Sequence, residues 1–189
     1  MRQSLFRGWK YCARRTGARS GFSLIELLVT IGIFGILAGL SFSSVAGNMP
    51  MWRAKGAADN VIGVFQKARS QAVRSNQWAL ISFTGVNTPG ASAIAIYLDK
   101  NNNGALDVGT DERIYSLDVN AHYRDAYVKS VAVGVSPGTP VSMVALGPDG
   151  TVKPSNLSMP VEVVIASRNP KVTQTYTIRV ERGGLGRWI

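Results

Sequence analysis

An apolar run begins with Gly21-Phe22-Ser23-Leu24-Ile25-Glu26-Leu27-Leu28-Val29-Thr30 and continues through residues 31–46. A helix needs about 20 apolar residues to cross the hydrocarbon core of a bilayer, and this run is long enough. Its single formal charge is Glu26, in the first turns of the expected helix. A carboxylate inside a bilayer-length helix is expensive, so its presence indicates a function. The run therefore predicts a membrane-spanning helix with a functional acid near its N-terminal end.

The residues before this run are basic and include no acid. They hold six of the 21 lysine and arginine residues of the chain: Arg2, Arg7, Lys10, Arg14, Arg15 and Arg19. Without residues 1–21 the net charge falls from +10 to +4, because 15 basic residues then face 11 acidic ones. An excess of Lys and Arg beside a membrane helix places that side in the cytoplasm. The positive charge therefore indicates topology more than a nucleic-acid surface.

The basic leader and the residues from Gly21 to Thr30 resemble the prepilin signature of type IV pilins and of type II secretion pseudopilins. In that family a membrane peptidase cuts between Gly and Phe and methylates the new N-terminus, and a Glu is the fifth residue of the mature chain. The resemblance implies cleavage after Gly21, N-methylation of Phe22, and pairing of Glu26 with the N-terminal amine of a neighbouring subunit. A conventional signal peptide has a shorter apolar core, and an ordinary anchor has no need for Glu26.

Two features modify the expected helix. Gly32, Gly35 and Gly39 share one helix face, where they either allow a second helix to approach closely or are simply tolerated. Pro50 disfavours helical geometry at Met49 and removes a donor, which predicts a kink or a short break near the membrane exit. A helical period resumes over residues 52–76. Its apolar stripe, expected to pack against a sheet, consists of Ala54, Ala57, Val61, Phe65 (or Val64), Ala68 and Ala72.

After Asn76 the apolar period changes to two, which is typical of strands. Short runs bounded by Gly, Pro, Asn or Asp predict strands over residues 78–84, 93–98, 113–117, 126–133, 141–146, 161–166 and 173–180. Arg168-Asn169-Pro170-Lys171 is typical of the turn of a hairpin that joins the last two strands. The predicted class is α+β, with a long N-terminal transmembrane helix packed on a C-terminal antiparallel β domain of six or seven strands.

The predicted organisation has four parts. Residues 1–21 form a leader that is removed, residues 22–49 an apolar helix for membrane and filament core, residues 50–77 its amphipathic continuation, and residues 78–189 a periplasmic β domain. This layout, with a Gly-Pro-Asp-Gly turn at 147–150 and a Gly-rich C-terminus, is similar to the minor pseudopilin family called GspH/FimT. The resemblance implies a pilin-like fold.

Residues 99–112 carry oxygen side chains at alternate positions followed by a glycine, which resembles the first half of an EF-hand calcium loop. The first, third, fifth and ninth positions are Asp99, Asn101, Asn103 and Asp107. Gly104 fills the sixth position, but the twelfth is Thr110 where the motif has Glu. Two interpretations stay open: a calcium site with an affinity of about 10⁻⁴–10⁻³ M, and a metal-free turn of a common kind. No other cofactor is expected.

The C-terminal tail resembles the Gly-Arg-rich tail of DNA-binding minor pilins that serve natural transformation. The residues that would contact phosphates and a base are Arg179, Arg182, Arg187 and Trp188. In that family a second Arg follows two places after the first, but here Ile189 holds that place and Glu181 adds an opposing charge. We therefore favour a solvated C-terminal edge strand over a DNA-binding tail.

Catalytic chemistry is not expected. His122 is the single histidine of the chain, which excludes His-based triads and multi-histidine metal sites. The single cysteine, Cys12, lies in the leader, so the processed chain has no disulfide. We predict that the protein is not an enzyme.

The predicted function is that of a minor pilin-like structural subunit in a type II secretion pseudopilus or a type IV pilus, near its tip. The expected partners are a prepilin peptidase, the membrane, and other pilins or pseudopilins contacted through the N-terminal helix. The expected location is the bacterial inner membrane, with one pass and the C-terminal domain in the periplasm, and then the filament. The alternatives are a DNA-binding minor pilin and a plain anchored periplasmic domain.

Overall fold

The computed structural model describes residues 21–134, 138–153 and 160–189, and it describes only the backbone at residues 42–44 and 46. The predicted leader, apart from Gly21, lies outside the described residues. The chain divides into two compact units, Met1–Ser43 and Ser44–Ile189. One helix contributes to both units.

Helix α1 spans Leu24–Ser75 and continues through Pro50, so the break expected there is absent. A proline inside a helix removes one donor and crowds one carbonyl, but the hydrogen bonds of the long segments on both sides remain. Because helix propagation is cooperative, one missing bond does not end so long a helix. The helix ends where Asn76 adopts a positive φ of 54°, a conformation that Asn tolerates at helix C-termini.

The N-terminal part of α1 makes the first unit. Every described side chain from residue 21 to residue 41 is exposed. The segment Leu24–Ser41 has a mean hydropathy of 2.2, and by length and composition it is able to cross a membrane. No described residue of this chain covers its apolar side chains.

The described residues of the second unit form the rest of α1, ten strands and a short helix. The strands are β1 Trp78–Thr84, β2 Ala93–Asp99, β3 Glu112–Asp118, β4 Ala126–Val133, β5 Thr139–Pro140, β6 Met143–Leu146, β7 Val152–Lys153, β8 Val161–Ser167, β9 Thr175–Val180 and β10 Gly186–Trp188, and helix α2 is Val119–His122. They form two five-stranded sheets, in the orders β3-β2-β1-β6-β7 and β10-β9-β8-β4-β5. All the pairings within them are antiparallel.

The predicted apolar stripe of α1 is buried, and it joins the inner faces of both sheets in one hydrophobic core. Phe65 of the stripe is fully buried and packs on Phe83 of β1, with 6.3 Å between the ring centroids. Ile96 and Ile178 bring one residue from each sheet into the same cluster. The amphipathic half of α1 is therefore the shared support of both sheets.

The predicted strand count is too low. Instead of six or seven strands, the described residues form ten, because β5, β7 and β10 were not expected. Two of these have two residues each and are too short for a period-two pattern to appear, and β10 begins with a glycine. The predicted strand over residues 141–146 begins at Met143 in the structure. The hairpin expected at Arg168 to Lys171 is confirmed by the antiparallel pairing of β8 with β9.

Ser92 connects the two sheets. It is fully buried, and its hydroxyl donates to the Gly85 carbonyl at 2.9 Å and accepts from the Val128 N–H of β4 at 3.2 Å. The Ser92 carbonyl also accepts from the Val119 N–H at 3.0 Å. A buried hydroxyl must find partners to offset its lost hydration, and here those partners are the residue that follows β1 of the first sheet and a residue of β4 in the second.

Candidate functional site

Phe22 and Glu26 lie at the start of α1, where the structure leaves both unengaged. Gly21 to Ser23 are not helical, the Phe22 side chain is 78% exposed, and Glu26 lies in the first helical turn. Among the described residues the ion pairs are Arg53–Asp125, Lys100–Glu112, Arg179–Glu162 and Arg187–Glu181, and none of them includes Glu26. The helix dipole favours an acid in this turn. No ion pair between described residues therefore neutralises Glu26.

No described residue packs closely against the three glycines of the segment Leu24–Ser41. A Cβ atom built at Gly32, Gly35 or Gly39 would meet nothing within 4 Å. Their side-chain-free surface is thus available to a second helix, whose backbone can approach small residues closely.

The four predicted calcium ligands lie together at the loop between β2 and β3. Hydrogen bonds join them to one another and to the backbone of the loop. Asp99 is fully buried, and its carboxylate oxygens accept from the N–H groups of Asn102 and Gly104, both at 2.6 Å. The amide groups of Asn101 and Asn103 donate to one oxygen of Asp107, at 2.6 and 2.7 Å. Ligands of a cation would present oxygen atoms to a common centre, whereas here amide N–H groups point at the carboxylate.

The loop is thus held by the side-chain-to-backbone bonds of an Asx-type turn. No group of three or more His, Cys, Asp or Glu residues in the described ranges is placed to hold a metal. Positions 101 and 103 are asparagines, which add no charge to such a site. Calcium binding stays a prediction, and the metal-free turn accounts for the geometry seen.

Arg179 is occupied within the protein. Its Nε and Nη2 atoms donate to Oε1 of Glu162 at 3.2 and 2.7 Å, and the two residues are direct cross-strand neighbours on β9 and β8. The Glu162 side chain is only 9% exposed. A carboxylate that is buried to this extent needs a charged partner, so Arg179 has a structural reason to be there.

The other tail residues do not form a free cationic surface either. Arg187 pairs with Glu181 at 3.0 Å, and the Trp188 ring packs edge-on against Tyr176 with 5.6 Å between centroids. Arg182 is exposed, and its carbonyl accepts from the Val152 N–H at 2.9 Å. Arg179 and Arg187, two of the predicted phosphate contacts, are thus each neutralised by a carboxylate. This geometry gives the DNA-binding alternative no support.

Two glycines, one in the turn at 147–150 and one in the C-terminal tail, have a packing role that the sequence did not reveal. Gly150 and Gly184 adopt positive φ values of 74° and 70°, and Arg69 of α1 lies against both. A Cβ atom at Gly184 would be 3.2 Å from both Arg69 Cδ and the Gly150 carbonyl oxygen. The two Gly-rich turns therefore close around the stem of one arginine.

Tyr176 allows a test of side-chain burial at this end of the second sheet. Its hydroxyl is buried without a hydrogen-bond partner among the described residues, and burial raises the pKa of Tyr176. An unpaired buried hydroxyl costs about 1–3 kcal/mol, so Tyr176→Phe is expected to raise the free energy of unfolding by about 1 kcal/mol. Chemical denaturation of the unit Ser44–Ile189 measures this. A loss of stability would mean that the hydroxyl has a partner.

Comparison with known proteins agrees with both halves of the chain. Residues 17–42 match the family described as prokaryotic N-terminal methylation motif. Residues 57–184, more than half of the chain, match the family described as type II transport protein GspH.

Individual relatives are more distant. The pilin-like protein PilA1 of Thermus thermophilus is 32% identical over 95 residues, which cover 49% of this chain and 56% of that protein. The match thus spans little more than half the length of this curated relative. It does not by itself transfer that protein's role to this chain.

Two solved structures are similar in fold. The minor pseudopilin EpsH from the type 2 secretion system of Vibrio cholerae has a TM-score of 0.50 at 10% identity, over 72% of this chain and 95% of that one. The type IV minor pilin FimU of Pseudomonas aeruginosa has a TM-score of 0.48 at 17% identity, over 71% and 91%.

The match to the GspH family covers most of the region that folds into the buried half of α1 and the two sheets, and the methylation motif covers the exposed helix before it. The EpsH likeness supports the same fold. This chain therefore belongs to the type II transport protein GspH family and is a pilin-like protein with a prepilin-type N-terminus.

Proposed function

We propose that this protein is a minor structural subunit of a type II secretion pseudopilus or a type IV pilus. The observation that carries the proposal is the segment Leu24–Ser41 of α1, an apolar helix that no described residue covers and that contains one acid and three unconstrained glycines. Exposed apolar surface of this extent marks an interaction surface. Lipid would cover this apolar surface before assembly, and neighbouring helices would cover it within a filament.

Assembly would follow cleavage between Gly21 and Phe22. Phe22 then carries the new α-amine, and Glu26 becomes the fifth residue of the mature chain. In the filament core the Glu26 carboxylate would pair with the Phe22 amine of a neighbouring subunit. Each charge alone would be strongly unfavourable in an apolar core, and pairing makes the burial of both tolerable. N-methylation leaves the amine basic and therefore compatible with this pairing.

The proposed location follows from the charge distribution. The basic leader would stay in the cytoplasm, α1 would cross the inner membrane once, and the unit that contains the two sheets would lie in the periplasm. After extraction from the membrane the same helix would enter the filament. We place the subunit near the tip, where a β domain of this kind would contact sibling subunits.

The experiment that tests this proposal is intact-mass and N-terminal analysis of the protein extracted from membranes, with and without a prepilin peptidase. The expected product begins with methylated Phe22 and appears only when the peptidase is present. A chain that keeps residues 1–21, or that is cut elsewhere regardless of the peptidase, would contradict the proposal and leave a plain anchored domain.

A further inference from the structure

Three exposed apolar side chains lie on one face of α1 at the start of the unit Ser44–Ile189. Val45, Met49 and Trp52 are spaced by four and then three residues, so they follow one another along the same side of the helix. They are 46%, 45% and 55% exposed. We call these three residues the Trp52 stripe. Single exposed apolar residues are common on protein surfaces, but a contiguous row of them marks an interaction surface.

The Trp52 stripe faces away from the hydrophobic core of its unit. Pro50 and Ala54 lie on the same turns of α1 and are buried. Because each residue turns a helix by about 100°, Trp52 lies about 200° round the helix from Pro50. The stripe is therefore separate from the buried side of α1, which supports the two sheets, and its partner has to be something other than the described part of this chain.

The fold fixes α1 to the rest of the unit at the level of the stripe. The Arg53 guanidinium donates from Nη1 to the Asp125 carboxylate at 2.7 Å, and its Nη2 atom lies 3.7 Å from the Met49 sulfur. Two turns further on, the Asn60 amide donates to the Tyr123 hydroxyl at 3.1 Å. The stripe is thus held on the body of the folded unit, on the side where the chain enters it.

The position of the stripe in the sequence is where a bilayer would end. Residues 21–46 form the apolar run that is long enough to cross the hydrocarbon core. Residue 52 comes six positions after this run, which is about 9 Å along a helix. The headgroup layer on each side of the core is about 5–8 Å thick. Helical side chains lean toward the N-terminus of their helix, so the Trp52 ring would reach back into this layer.

The order of residue types along α1 also fits a lipid surface. Trp is enriched at membrane–water interfaces, because its ring is apolar and its N–H group is polar. Lys55 follows Trp52 by one turn and is exposed, and its stem can cover apolar surface while its ammonium group stays among lipid phosphates. Asp59, the first acid after the apolar run, comes one turn later still. Hydrocarbon, aromatic ring, cation and then acid is the order that a bilayer favours along its normal.

We propose that the Trp52 stripe lies in the headgroup layer of the periplasmic leaflet of the inner membrane before assembly. The stripe would fix the depth of α1 in the bilayer, and it would have to leave the lipid before the subunit enters a filament. The inference rests on the proposed function, because it requires that α1 crosses the membrane. It goes further by assigning a lipid contact to the unit that contains the two sheets.

The test uses the full chain, processed by a prepilin peptidase and reconstituted in vesicles of phosphatidylcholine and phosphatidylglycerol. Processing removes Trp9, so the remaining tryptophans are Trp52, Trp78 and Trp188. Phospholipids brominated near the glycerol end of their acyl chains are expected to quench part of the tryptophan fluorescence. Trp52→Phe is expected to remove most of this quenching. The matched control, Trp188→Phe, changes a ring on β10 and is expected to leave the quenching unchanged.

Three results would overturn the inference. They are quenching that survives Trp52→Phe, quenching of Trp52 by acrylamide in water but by no brominated lipid, and stronger quenching by lipids brominated near the methyl end. The second result would leave the stripe to the helices of sibling subunits, and the third would place residue 52 inside the hydrocarbon core.

Resistance to alkaline extraction separates this inference from the proposed function. A chain that alkali removes from the vesicles contradicts the proposed function, because α1 then does not cross the bilayer. A chain that resists extraction but shows no lipid quenching of Trp52 contradicts only the contact proposed for the stripe.

Discussion

Glu26→Ala is expected to abolish entry of the protein into filaments while leaving cleavage after Gly21 intact. The variant removes the only carboxylate of the apolar helix, so the Phe22 amine of a neighbour would be buried without a partner. Breaking a buried charge pair in this way costs about 3–5 kcal/mol, which corresponds to a loss of about 150- to 5,000-fold in the assembly equilibrium. Immunoblots of sheared filament material measure entry, and intact mass measures cleavage.

Two further variants separate charge from shape. Glu26→Gln keeps the size of the side chain and removes its charge, so it is expected to fail like the alanine variant. Thr30→Ala lies one turn further along, where the hydroxyl bonds to the Leu27 carbonyl of its own helix, and it is expected to assemble normally. Normal filament entry by Glu26→Ala would refute the pairing mechanism, and failure of cleavage would move the role of Glu26 to recognition by the peptidase.

Arg179→Ala is expected to lower the free energy of unfolding of the unit Ser44–Ile189 by about 2–3 kcal/mol, which is less than the full effect for a completely buried pair because the Arg179 side chain is 24% exposed. The variant leaves the carboxylate of Glu162 buried between strands with neither of its two hydrogen bonds from Arg179. Urea denaturation followed by circular dichroism measures the change. The double variant Arg179→Met with Glu162→Gln is expected to recover most of the loss, since no buried charge then remains.

Arg187→Ala is the matched control for this prediction. Arg187 lies directly across from Arg179 on β10, but its ion pair with Glu181 is exposed on both sides. Exposed pairs contribute about 0–1 kcal/mol, so this variant is expected to keep nearly full stability. An Arg179→Ala protein that is fully stable but has lost salt-sensitive DNA binding would instead restore the DNA-binding alternative.

Secondary structure was predictable where one physical pattern dominates. The strands β1 and β4 begin and end at the expected residues, because a period of two and turn residues on both sides agree there. The stripe of α1 was predictable for the same reason. The continuity of α1 through Pro50 was not, since a local rule for proline does not weigh the long helical segments on either side.

The candidate site residues likewise were predictable only where a pattern in the sequence identifies them. Phe22 and Glu26 could be identified because a charge inside an apolar run is visible in the sequence alone. The partners of Arg179 and Arg187 could not, because Glu162 is a cross-strand neighbour 17 residues away and the register of β8 against β9 is a property of the folded sheet.

The order of the strands also determines when each part of the domain can form during synthesis. The pairs β1–β2 and β2–β3 join neighbours in the sequence, so they can form as soon as those residues emerge. The pair β1–β6, by contrast, must wait for residues 143–146, and β4, which pairs with β5 on one edge, must wait for β8 on the other. Contacts between distant residues pay for loop closure first and therefore form late. A chain that ended before residue 161 would thus leave the edge of β4 that pairs with β8 open, and an unpaired strand edge is prone to pair with another chain.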